Sequence, residues 1–313
     1  MTNSTDSRVL AVVVTFLPKA DGLVALIRAL SPQVETVLVV DNSPRTEPGI
    51  DSLPLSIWIE FCNLRPLRLG ENVGIASAQN LGIDIALKEG YGHVLLSDQD
   101  SLPAPEMVMS LLYCHARLAE QSINVGCICP QYLDNTTGQA FPFQIQRPGR
   151  LFYSNSRLGE ADPWIEILTT ISSGSLIPRE ALLHVGPMRE DFFIDHVDTE
   201  WCHRARARGF RLYATSRANL SHRLGDASFQ LWLFGWRPYS IYSRVRLYYR
   251  FRNFVLLCRL QHVRLLWKLR ASWYWAGNFY AHAIFAPGPI GNIKAMIRGL
   301  IDGFRGRRGR FIP

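Results

Sequence analysis

The stretch VLAVVVTF, residues 9–16, is a nearly unbroken run of apolar, mostly β-branched side chains. A strand buried on both faces, as in a parallel sheet between layers of helices, has this pattern, whereas a half-exposed strand alternates apolar and polar residues. The stretch therefore predicts a central strand of an α/β protein.

Further helix and strand patterns alternate along the residues that follow. The apolar spacing predicts helices over residues 22–30 and 75–88 and strands over residues 36–40, 57–61 and 93–96. Gly90 stands where a helix over 75–88 would end on a glycine. Alternating strands and helices predict an open sheet flanked by helices. Ligands of such sheets bind beyond the carboxyl ends of the strands, which is where we expect Asp41 and Asp98.

Length and composition indicate a folded protein with an uneven charge distribution. The chain has 313 residues, of which 48% are hydrophobic and 19% charged, so it can bury a sizeable core. The net charge of +8 is the sum of a basic part and an acidic part of the chain. Residues 201–313 contain 21 lysines and arginines but only two acidic residues, and residues 1–200 contain 13 basic against 24 acidic residues. The basic part predicts an anionic partner, either nucleic acid or a membrane surface.

The cysteines and the apolar segments indicate a cytoplasmic setting. The six cysteines form no CxxC pair and no Cys/His zinc spacing, and residues 1–8 (MTNSTDSR) are too polar for a signal peptide. We therefore expect reduced thiols. The longest uncharged run, residues 271–293, is interrupted by Gly277 and Pro287, so it is better suited to lie on a bilayer than to cross one.

The first pair of aspartates follows the predicted strand over residues 93–96. In an extended segment, residues two apart point to the same side, so Asp98 and Asp100 can converge on one cation. Mg²⁺ and Mn²⁺ are bound by one or two carboxylates together with phosphate oxygens, and the ion neutralises charge on a departing diphosphate. A solvated turn is the alternative explanation of the same residues. The position after a strand favours a metal–diphosphate site.

The second pair, Asp195 and Asp198, stands at the start of a predicted helix over residues 198–208. A spacing of three places two side chains on one face of a helix. Either carboxylate could act as a general base towards an acceptor hydroxyl, or it could cap the helix. His222 in the later segment LSHRLGD either supplies a metal ligand or has a structural role.

Other polar residues near the predicted strand ends are candidates for nucleotide binding. Asp41 directly follows a buried strand and could bind a base edge or a ribose hydroxyl, or it could close the strand in an Asx-turn. Asn72, Gly74 and Asn80 could place backbone and amide groups near the nucleotide. An ordinary turn before a helix is the alternative for Gly74, and the segment contains no GxGxxG motif.

Taken in order, these segments resemble the inverting family-2 glycosyltransferases of the GT-A fold. The resemblance covers about residues 8–253. Its motifs are VVVTF (12–16), VVDNS (39–43), ENVGIASAQNLGI (71–83), LLSDQDS (95–101), SSGSLI (172–177), FFIDHVDTEWCHRARARGF (192–210) and LSHRLGD (220–226). Within the family, FIDHVDTEW and the later YYRFRNF are most similar to bacterial rhamnosyltransferases that build lipopolysaccharide or other surface glycans.

The resemblance implies a GT-A catalytic domain over residues 1–228, with a nucleotide-sugar half over about 8–101 and an acceptor half over about 102–228. Residues 229–313 are then a basic, aromatic helical extension. The donor is implied to be dTDP-L-rhamnose. Its nucleotide is implied to be bound by Thr15, Asp41, Asn72, Gly74, Asn80 and Asp98.

The same resemblance implies a metal and a catalytic base. Asp100, with His222, would bind a divalent cation, Mg²⁺ or Mn²⁺, through the diphosphate. Asp198 matches the aspartate of the family's Glu-Asp pair and would be the base in a single displacement. Val197 replaces the glutamate here, and Asp195 offers a second carboxylate, so both are candidates, with Asp198 preferred.

The implied partners are a lipopolysaccharide or lipid-linked glycan acceptor and the anionic, cytoplasmic face of the inner membrane. Several alternatives fit parts of the sequence. One is a family-2 transferase of galactofuranose or a hexosamine from a UDP donor. A metal-dependent nucleotidyltransferase is another, but no triphosphate-holding loop follows the first strand. A nucleic-acid-binding protein would use the arginine-rich part, although the acidic residues 1–200 disfavour it.

Overall fold

The structure is a computed structural model that describes residues 7–135, 138–159, 163–222, 227–232 and 236–311, without the side chains of residues 222–239. Its strands are β1 (Val9–Thr15), β2 (Thr36–Pro44), β3 (Leu64–Gly70), β4 (His93–Asp98), β5 (Leu102–Pro103), β6 (Val125–Asp134), β7 (Phe143–Ile145), β8 (Ser154–Ser156), β9 (Trp164–Ile167), β10 (Ser175–Pro178), β11 (Arg211–His222), β12 (Ala227–Trp232) and β13 (Trp236–Ile241). Its α-helices are α1 (Ala20–Leu30), α2 (Leu55–Glu60), α3 (Ile75–Lys88), α4 (Met107–Ala119), α5 (Arg179–Val185), α6 (Val197–Ala207), α7 (Arg244–Cys258), α8 (Leu265–Ile284) and α9 (Pro289–Phe304). Strands and helices alternate from β1 to β4, so the predicted α/β class is confirmed.

A mixed sheet organises the described part of the chain. Its strands lie in the order β3, β2, β1, β4, β10, β6, β11 and β5, and β9 also pairs with β11. Strands β3, β2, β1 and β4 are parallel, and β10 runs antiparallel between β4 and β6. All seven residues of β1 are buried, as the stretch VLAVVVTF predicts.

The register at the end of β1 places polar residues of neighbouring strands side by side. Thr15 of β1 pairs with Asp41 of β2, and Val14 pairs with Asp98 of β4. Because these strands are parallel, their carboxyl ends meet at one edge of the sheet. The predicted position of Asp98 is confirmed, because it is the last residue of β4. The prediction for Asp41 is wrong in its boundary, because β2 continues to Pro44 and Asp41 lies within it.

One predicted element is wrong. Residues 57–61 are not a strand: they fall largely in the short helix α2, and the third parallel strand is β3. A short apolar run such as SIWIE does not distinguish a strand from a helix by its periodicity. Strand β3 is hard to predict because it lies at the end of the sheet order, is half-exposed and contains Pro66, a residue that edge strands tolerate. The other predicted strands and helices are present, with ends shifted by a few residues.

The C-terminal part consists of the paired strands β12 and β13 followed by α7, α8 and α9. Helix α9 packs closely on α7 through glycines. A Cβ atom at Gly303 would lie 2.7 Å from the carbonyl oxygen of Arg252, and one at Gly299 would collide with the carbonyl oxygen of Tyr248. The backbones of α7 and α9 can therefore approach only because these positions have no side chain. The proposed boundary between residues 228 and 229 stays a prediction.

Helix α9 buries several polar and small residues and exposes several large apolar ones. It buries Asn292, Met296, Gly299, Asp302 and Gly303, whereas four of its large apolar residues are exposed. The exposed ones are Ile290 (71%), Ile297 (43%), Ile301 (43%) and Phe304 (72%). Among the described residues, no helix combines the length and apolar character that a membrane span requires.

Candidate active site

A cavity of about 790 Å³ opens beyond the carboxyl ends of β1, β2 and β4. Five parts of the chain form its walls: the strand ends, the start of α3, residues 171–172 before β10, the segment from Phe193 to Thr199, and helices α7 and α8 with the two residues that precede α7. The residues used below that line it are Thr15, Phe16, Asn42, Asn72, Gly74, Asp98, Gln99, Asp100, Ile171, Ser172, Phe193, Asp195, His196, Asp198, Thr199, Tyr242, Arg246, Tyr249, Arg250 and Trp275.

The first aspartate pair is held in place by the glutamine between its members. Gln99 accepts a hydrogen bond from the Phe16 amide at 2.8 Å and donates one to the Phe16 carbonyl at 3.1 Å, which fastens the end of β4 to the end of β1. The amide of Asp98 donates to the Ser173 hydroxyl at 3.2 Å. Both Asp98 and Asp100 line the cavity, as predicted.

The charge balance at these carboxylates fits a divalent cation. Burial, and then the negative charges of Asp100 and Asp198, raise the pKa of Asp98 to about 7. A cation at Asp98 and Asp100 would relieve that excess of negative charge. The described residues contain no cluster of three or more His, Cys, Asp or Glu side chains arranged for a metal, so phosphate oxygens and water would complete the coordination. His222 ends β11, but its side chain lies outside the described part, and its role stays a prediction.

Asp195 is a buried, ion-paired carboxylate. It precedes α6, and its side chain is 6% exposed. Its oxygens lie 2.7 Å from a terminal nitrogen of Arg246 and 3.4 Å from one of Arg250. Burial alone would raise the pKa of Asp195, but the positive charges of the two arginines outweigh it, so that the pKa is lowered. Asp195 is therefore a fixed anion and a weak proton acceptor.

Asp198 has the opposite environment. It lies in the first turn of α6, where its carboxylate accepts hydrogen bonds from the backbone amide and the hydroxyl of Thr199, at 2.6 and 3.3 Å. Burial outweighs these hydrogen bonds, and the negative charge of Asp195 adds to it, so that the pKa of Asp198 is raised. A cavity-lining carboxylate with a raised pKa can take a proton from a bound hydroxyl group. Of the two candidates, Asp198 is the one with these properties.

The loop that carries Asp195 and leads into α6 is strained and is held by α7. Phe193, Asp195 and His196 have φ angles of 65°, 63° and 64°, which residues with a side chain rarely adopt. The side-chain amide of Asn253 donates to the carbonyls of Phe192, Ile194 and Asp195 at 2.8, 2.7 and 3.0 Å. Helix α7 therefore determines the shape of the loop.

Two asparagines form the cavity wall near the start of α3. Asn42 donates to Asn72 at 3.1 Å and accepts from the Val73 amide at 2.8 Å, and Asn72 accepts from the Gly74 amide at 3.0 Å. Gly74 has a φ of 89°, and a Cβ atom there would lie 2.8 Å from the carbonyl oxygen of Phe193. Only glycine fits at this position.

Asp41 and Asn80 are not among the residues that line the cavity. Asp41 is fully buried and accepts hydrogen bonds from the hydroxyls of Thr15 and Ser43, at 3.1 and 2.6 Å, and from the Ile50 amide at 2.9 Å. Asn80 bonds the backbone of Met188 at 2.8 and 3.0 Å. Both residues stabilise the segments next to the cavity through these hydrogen bonds. Their contact with a nucleotide stays a prediction.

The sequence interpretation missed the wall that α7 and α8 contribute. Tyr242, Arg246, Tyr249, Arg250 and Trp275 line the cavity. The Arg250 guanidinium lies 4.0 Å from the ring centroid of Tyr242 and 4.9 Å from that of Trp275. The sequence did contain a pattern that indicates this wall: Arg246 and Arg250 are four residues apart and therefore share one face of a helix.

Comparison of the sequence with known proteins gives one close relationship. The dTDP-rhamnosyl transferase RfbF of Shigella flexneri is 32% identical to the chain over 305 residues, which cover 97% of the chain and 98% of RfbF. No protein-family model matches the chain.

Solved structures with a similar fold include GalNAc-T7 with UDP, GalNAc and Mn²⁺, at a TM-score of 0.60 and 12% identity, over 95% of this chain and 56% of that one. Residues 1–349 of S. aureus TarS, in complex with UDP-GlcNAc, match at a TM-score of 0.55 and 15% identity, over 96% and 81% of the two chains. At these identities the likeness shows the fold alone, and it confirms the predicted one.

Proposed function

The chain belongs to the rhamnosyltransferase family that includes RfbF, within the family-2 glycosyltransferases of the GT-A fold, and on that premise we propose that it transfers L-rhamnose from dTDP-L-rhamnose to a hydroxyl group of an acceptor glycan. The acceptor we propose is a lipopolysaccharide or another lipid-linked glycan. The observation that supports this reaction most directly is the division of roles between Asp195 and Asp198 in the wall of a substrate-sized cavity.

The proposed reaction is a single displacement. Asp198 removes the proton of the acceptor hydroxyl, whose oxygen forms a bond to the anomeric carbon of the donor sugar. The bond from that carbon to the diphosphate breaks, and dTDP leaves with the electron pair. Attack from the face opposite the leaving group inverts the configuration. A positioned base of this kind contributes roughly 10²- to 10⁴-fold to the rate.

Different lining residues would interact with the diphosphate of the donor and with the cation bound to it. Asp98 and Asp100 would hold Mg²⁺ or Mn²⁺, and the ion, when bound, neutralises negative charge on the diphosphate. Arg246, which also lines the cavity and whose side chain is 37% exposed, adds positive charge there. Asn42 and Asn72 would contact the nucleotide at the strand ends.

We also propose that the protein lies on the anionic, cytoplasmic face of the inner membrane, where lipid-linked acceptors are accessible. Helix α9 supports this location, because its exposed face carries Ile290, Ile297, Ile301 and Phe304 beside the exposed Lys294, Arg298 and Arg305. Apolar side chains on one face with basic residues next to them are typical of helices that lie in a membrane interface.

The experiment that tests the reaction is a thermal-shift series with nucleotide sugars, each with Mg²⁺, Mn²⁺ or a chelator. We expect dTDP-L-rhamnose to stabilise the protein in a cation-dependent way, and Asp100→Ala to abolish the cation dependence. A preference for UDP-galactofuranose or a UDP-hexosamine would keep the proposed chemistry and exclude rhamnose. Folded protein that ignores every nucleotide sugar but binds DNA in a salt-sensitive way would contradict the proposed function.

A further inference from the structure

A second, smaller cavity of about 200 Å³ adjoins the first. It lies between the strand segment that follows β6 and the segment that precedes β10. Its lining residues are Tyr132, Phe141, Pro142, Phe143, Gln144, Thr169, Thr170, Ile171 and Thr199. Ile171 and Thr199 also line the larger cavity, so the two spaces meet at these residues.

One of the shared residues, Thr199, directly follows Asp198 and is bonded to it. The carboxylate of Asp198 accepts hydrogen bonds from the amide and the hydroxyl of Thr199, at 2.6 and 3.3 Å. Asp198 itself lines only the larger cavity, so a molecule in the smaller cavity would approach the proposed base past Thr199.

The lining of the smaller cavity has a distinct chemistry. None of its described lining residues carries a charge. Tyr132 and Phe143 are in ring contact, with centroids 5.6 Å apart, and Phe141 adds a third, partly buried ring. The threonine hydroxyls and the Gln144 amide place hydrogen-bonding groups among these rings. Some of them bond one another: the Thr169 hydroxyl donates to the Gln144 side chain at 3.3 Å, and the hydroxyls of Thr170 and Tyr132 lie 2.7 Å apart. Each hydroxyl keeps the capacity to accept a hydrogen bond from a sugar. Aromatic faces with a few hydroxyl and amide groups match a neutral sugar ring, which has an apolar C–H face and a hydroxyl-bearing edge.

The larger cavity, in contrast, is lined by charged residues. Its lining includes Arg246 and Arg250 as well as Asp98 and Asp100, which suits a phosphate group and a cation. The charged donor and an uncharged sugar would thus be attracted to different cavities.

We propose that the smaller cavity is the acceptor subsite: it binds one neutral sugar unit of the acceptor glycan and directs a hydroxyl group towards Asp198. The proposal rests on the proposed transferase function and adds the class of acceptor unit and the residues that hold it. Phe141 packs on the ring, and Thr169 bonds a hydroxyl group of the sugar.

Binding of simple glycosides tests the subsite without any need for turnover. The probes are the methyl glycosides of L-rhamnose, D-glucose and N-acetyl-D-glucosamine, added to protein with dTDP and Mg²⁺ and followed by saturation-transfer NMR. We expect at least one of them to bind, and Phe141→Ala and Thr169→Val to weaken its binding by about tenfold each, as expected for loss of one aromatic contact or one hydrogen bond. Methyl glucuronide, which is charged, should bind less well.

Phe152→Ala is the matched control, because Phe152 is 41% exposed and is not a lining residue of either cavity. It should leave glycoside binding unchanged. The proposal is overturned if no neutral glycoside binds, or if the bound one is held equally well by both cavity variants. Thermal shift with dTDP-L-rhamnose separates the two proposals: a normal shift together with unaffected glycoside binding removes the subsite alone, and no shift removes the donor assignment.

Discussion

At the scale of single residues, two carboxylates three positions apart have opposite electrostatic environments. Asp195 is neutralised by Arg246 and Arg250, which lowers its pKa against the effect of burial. Asp198 is buried beside it, and its pKa is raised. A lowered pKa means that the folded state stabilises the charged carboxylate, and a raised pKa means the reverse. The ionised carboxylate of Asp195 therefore stabilises the folded state, whereas the ionised carboxylate of Asp198 destabilises it.

The replacement Asp198→Asn should separate activity from stability. We expect kcat to fall by roughly 10²- to 10⁴-fold, because the base is lost. The melting temperature should stay unchanged or rise, because a neutral amide no longer has to bury a charge. Transfer assays and thermal denaturation of the same preparation measure both effects. Wild-type turnover in this variant would exclude Asp198 as the base.

The replacement Asp195→Asn should mainly reduce stability. Removing one member of a buried ion pair leaves its partners uncompensated, and with the partial exposure of Arg246 we expect a loss on the order of 2 kcal/mol in the free energy of unfolding. Because the folded-state pKa of Asp195 is lowered, its contribution is present above the unfolded pKa of about 3.9 and is lost as the pH falls through the folded value. Denaturant unfolding at neutral and acidic pH should show the difference between variant and wild type shrinking in acid. If Asp195→Asn instead abolished turnover with unchanged stability, the roles of the two aspartates would be exchanged.

At the scale of secondary-structure elements, the contact between α7 and α9 depends on glycine. Helix propensity alone predicts that Gly299→Ala stabilises α9 by up to about 1 kcal/mol. The added Cβ atom would collide with the backbone of Tyr248, and such overpacking costs typically about 1–3 kcal/mol. We therefore expect a net loss of stability, measured by denaturant unfolding.

The control for this prediction is Gly22→Ala in α1, where an added Cβ atom has nothing within 4 Å. There the propensity effect should act alone and raise stability. If Gly299→Ala behaved like Gly22→Ala, the close approach of α7 and α9 would be refuted.

The elements differ in how well their sequences predict them. Residues 75–88 form α3 with both ends as predicted, because the apolar spacing and Gly90 agree. Strand β1 is equally clear, because burial on both faces imposes a continuous apolar run. Strand β3 was missed because its pairing with β2, and not its own composition, makes it a strand. Its arginines and Pro66 gave no local pattern to detect.

The residues of the candidate site also differ in how well the sequence predicts them. Carboxylates that follow strands are visible in the sequence, because the end of a buried apolar run marks the sheet edge, and Asp98 and Asp100 do line one cavity. Asp198, in the first turn of α6, lines the same cavity. The contribution of α7 depends on a contact between residues about 60 positions apart, which no local pattern encodes. The Asx-turn that the sequence offers for Asp41 is local and is confirmed, because the Ser43 amide donates to its carboxylate at 3.1 Å. The Thr15 hydroxyl and the Ile50 amide, which donate to the same carboxylate, come from more distant positions that no local pattern encodes.

At the scale of the whole molecule, the basic C-terminal part and the exposed face of α9 predict two components of membrane binding. Vesicles that contain an anionic lipid should bind the protein more strongly than vesicles of phosphatidylcholine alone. Salt should weaken this binding, because it screens the basic residues. The double variant Ile301→Ser/Phe304→Ser should reduce the binding that remains at high salt, because it removes apolar area from the interface. Flotation of vesicle-bound protein measures all three effects.

A matched control exists on the acidic half of the chain. Leu55 and Ile59 on α2 are 73% and 75% exposed, so Leu55→Ser/Ile59→Ser removes as much exposed apolar surface at a distant site. This variant should float like the wild type. Equal losses in the two double variants, or binding that salt abolishes completely, would rule out insertion of α9.

The hydrogen bonds from Asn253 to the loop around Asp195 also bear on the timing of protein synthesis. A ribosome completes β11 at His222, when every strand of the large sheet has been made, together with both catalytic candidates. The amide that fastens the loop follows 58 to 61 residues after the carbonyls that it bonds. The nascent chain therefore passes through a stage in which it has its sheet but lacks one wall of the cavity. We expect it to bind the donor only after α7 has emerged from the ribosomal tunnel and docked.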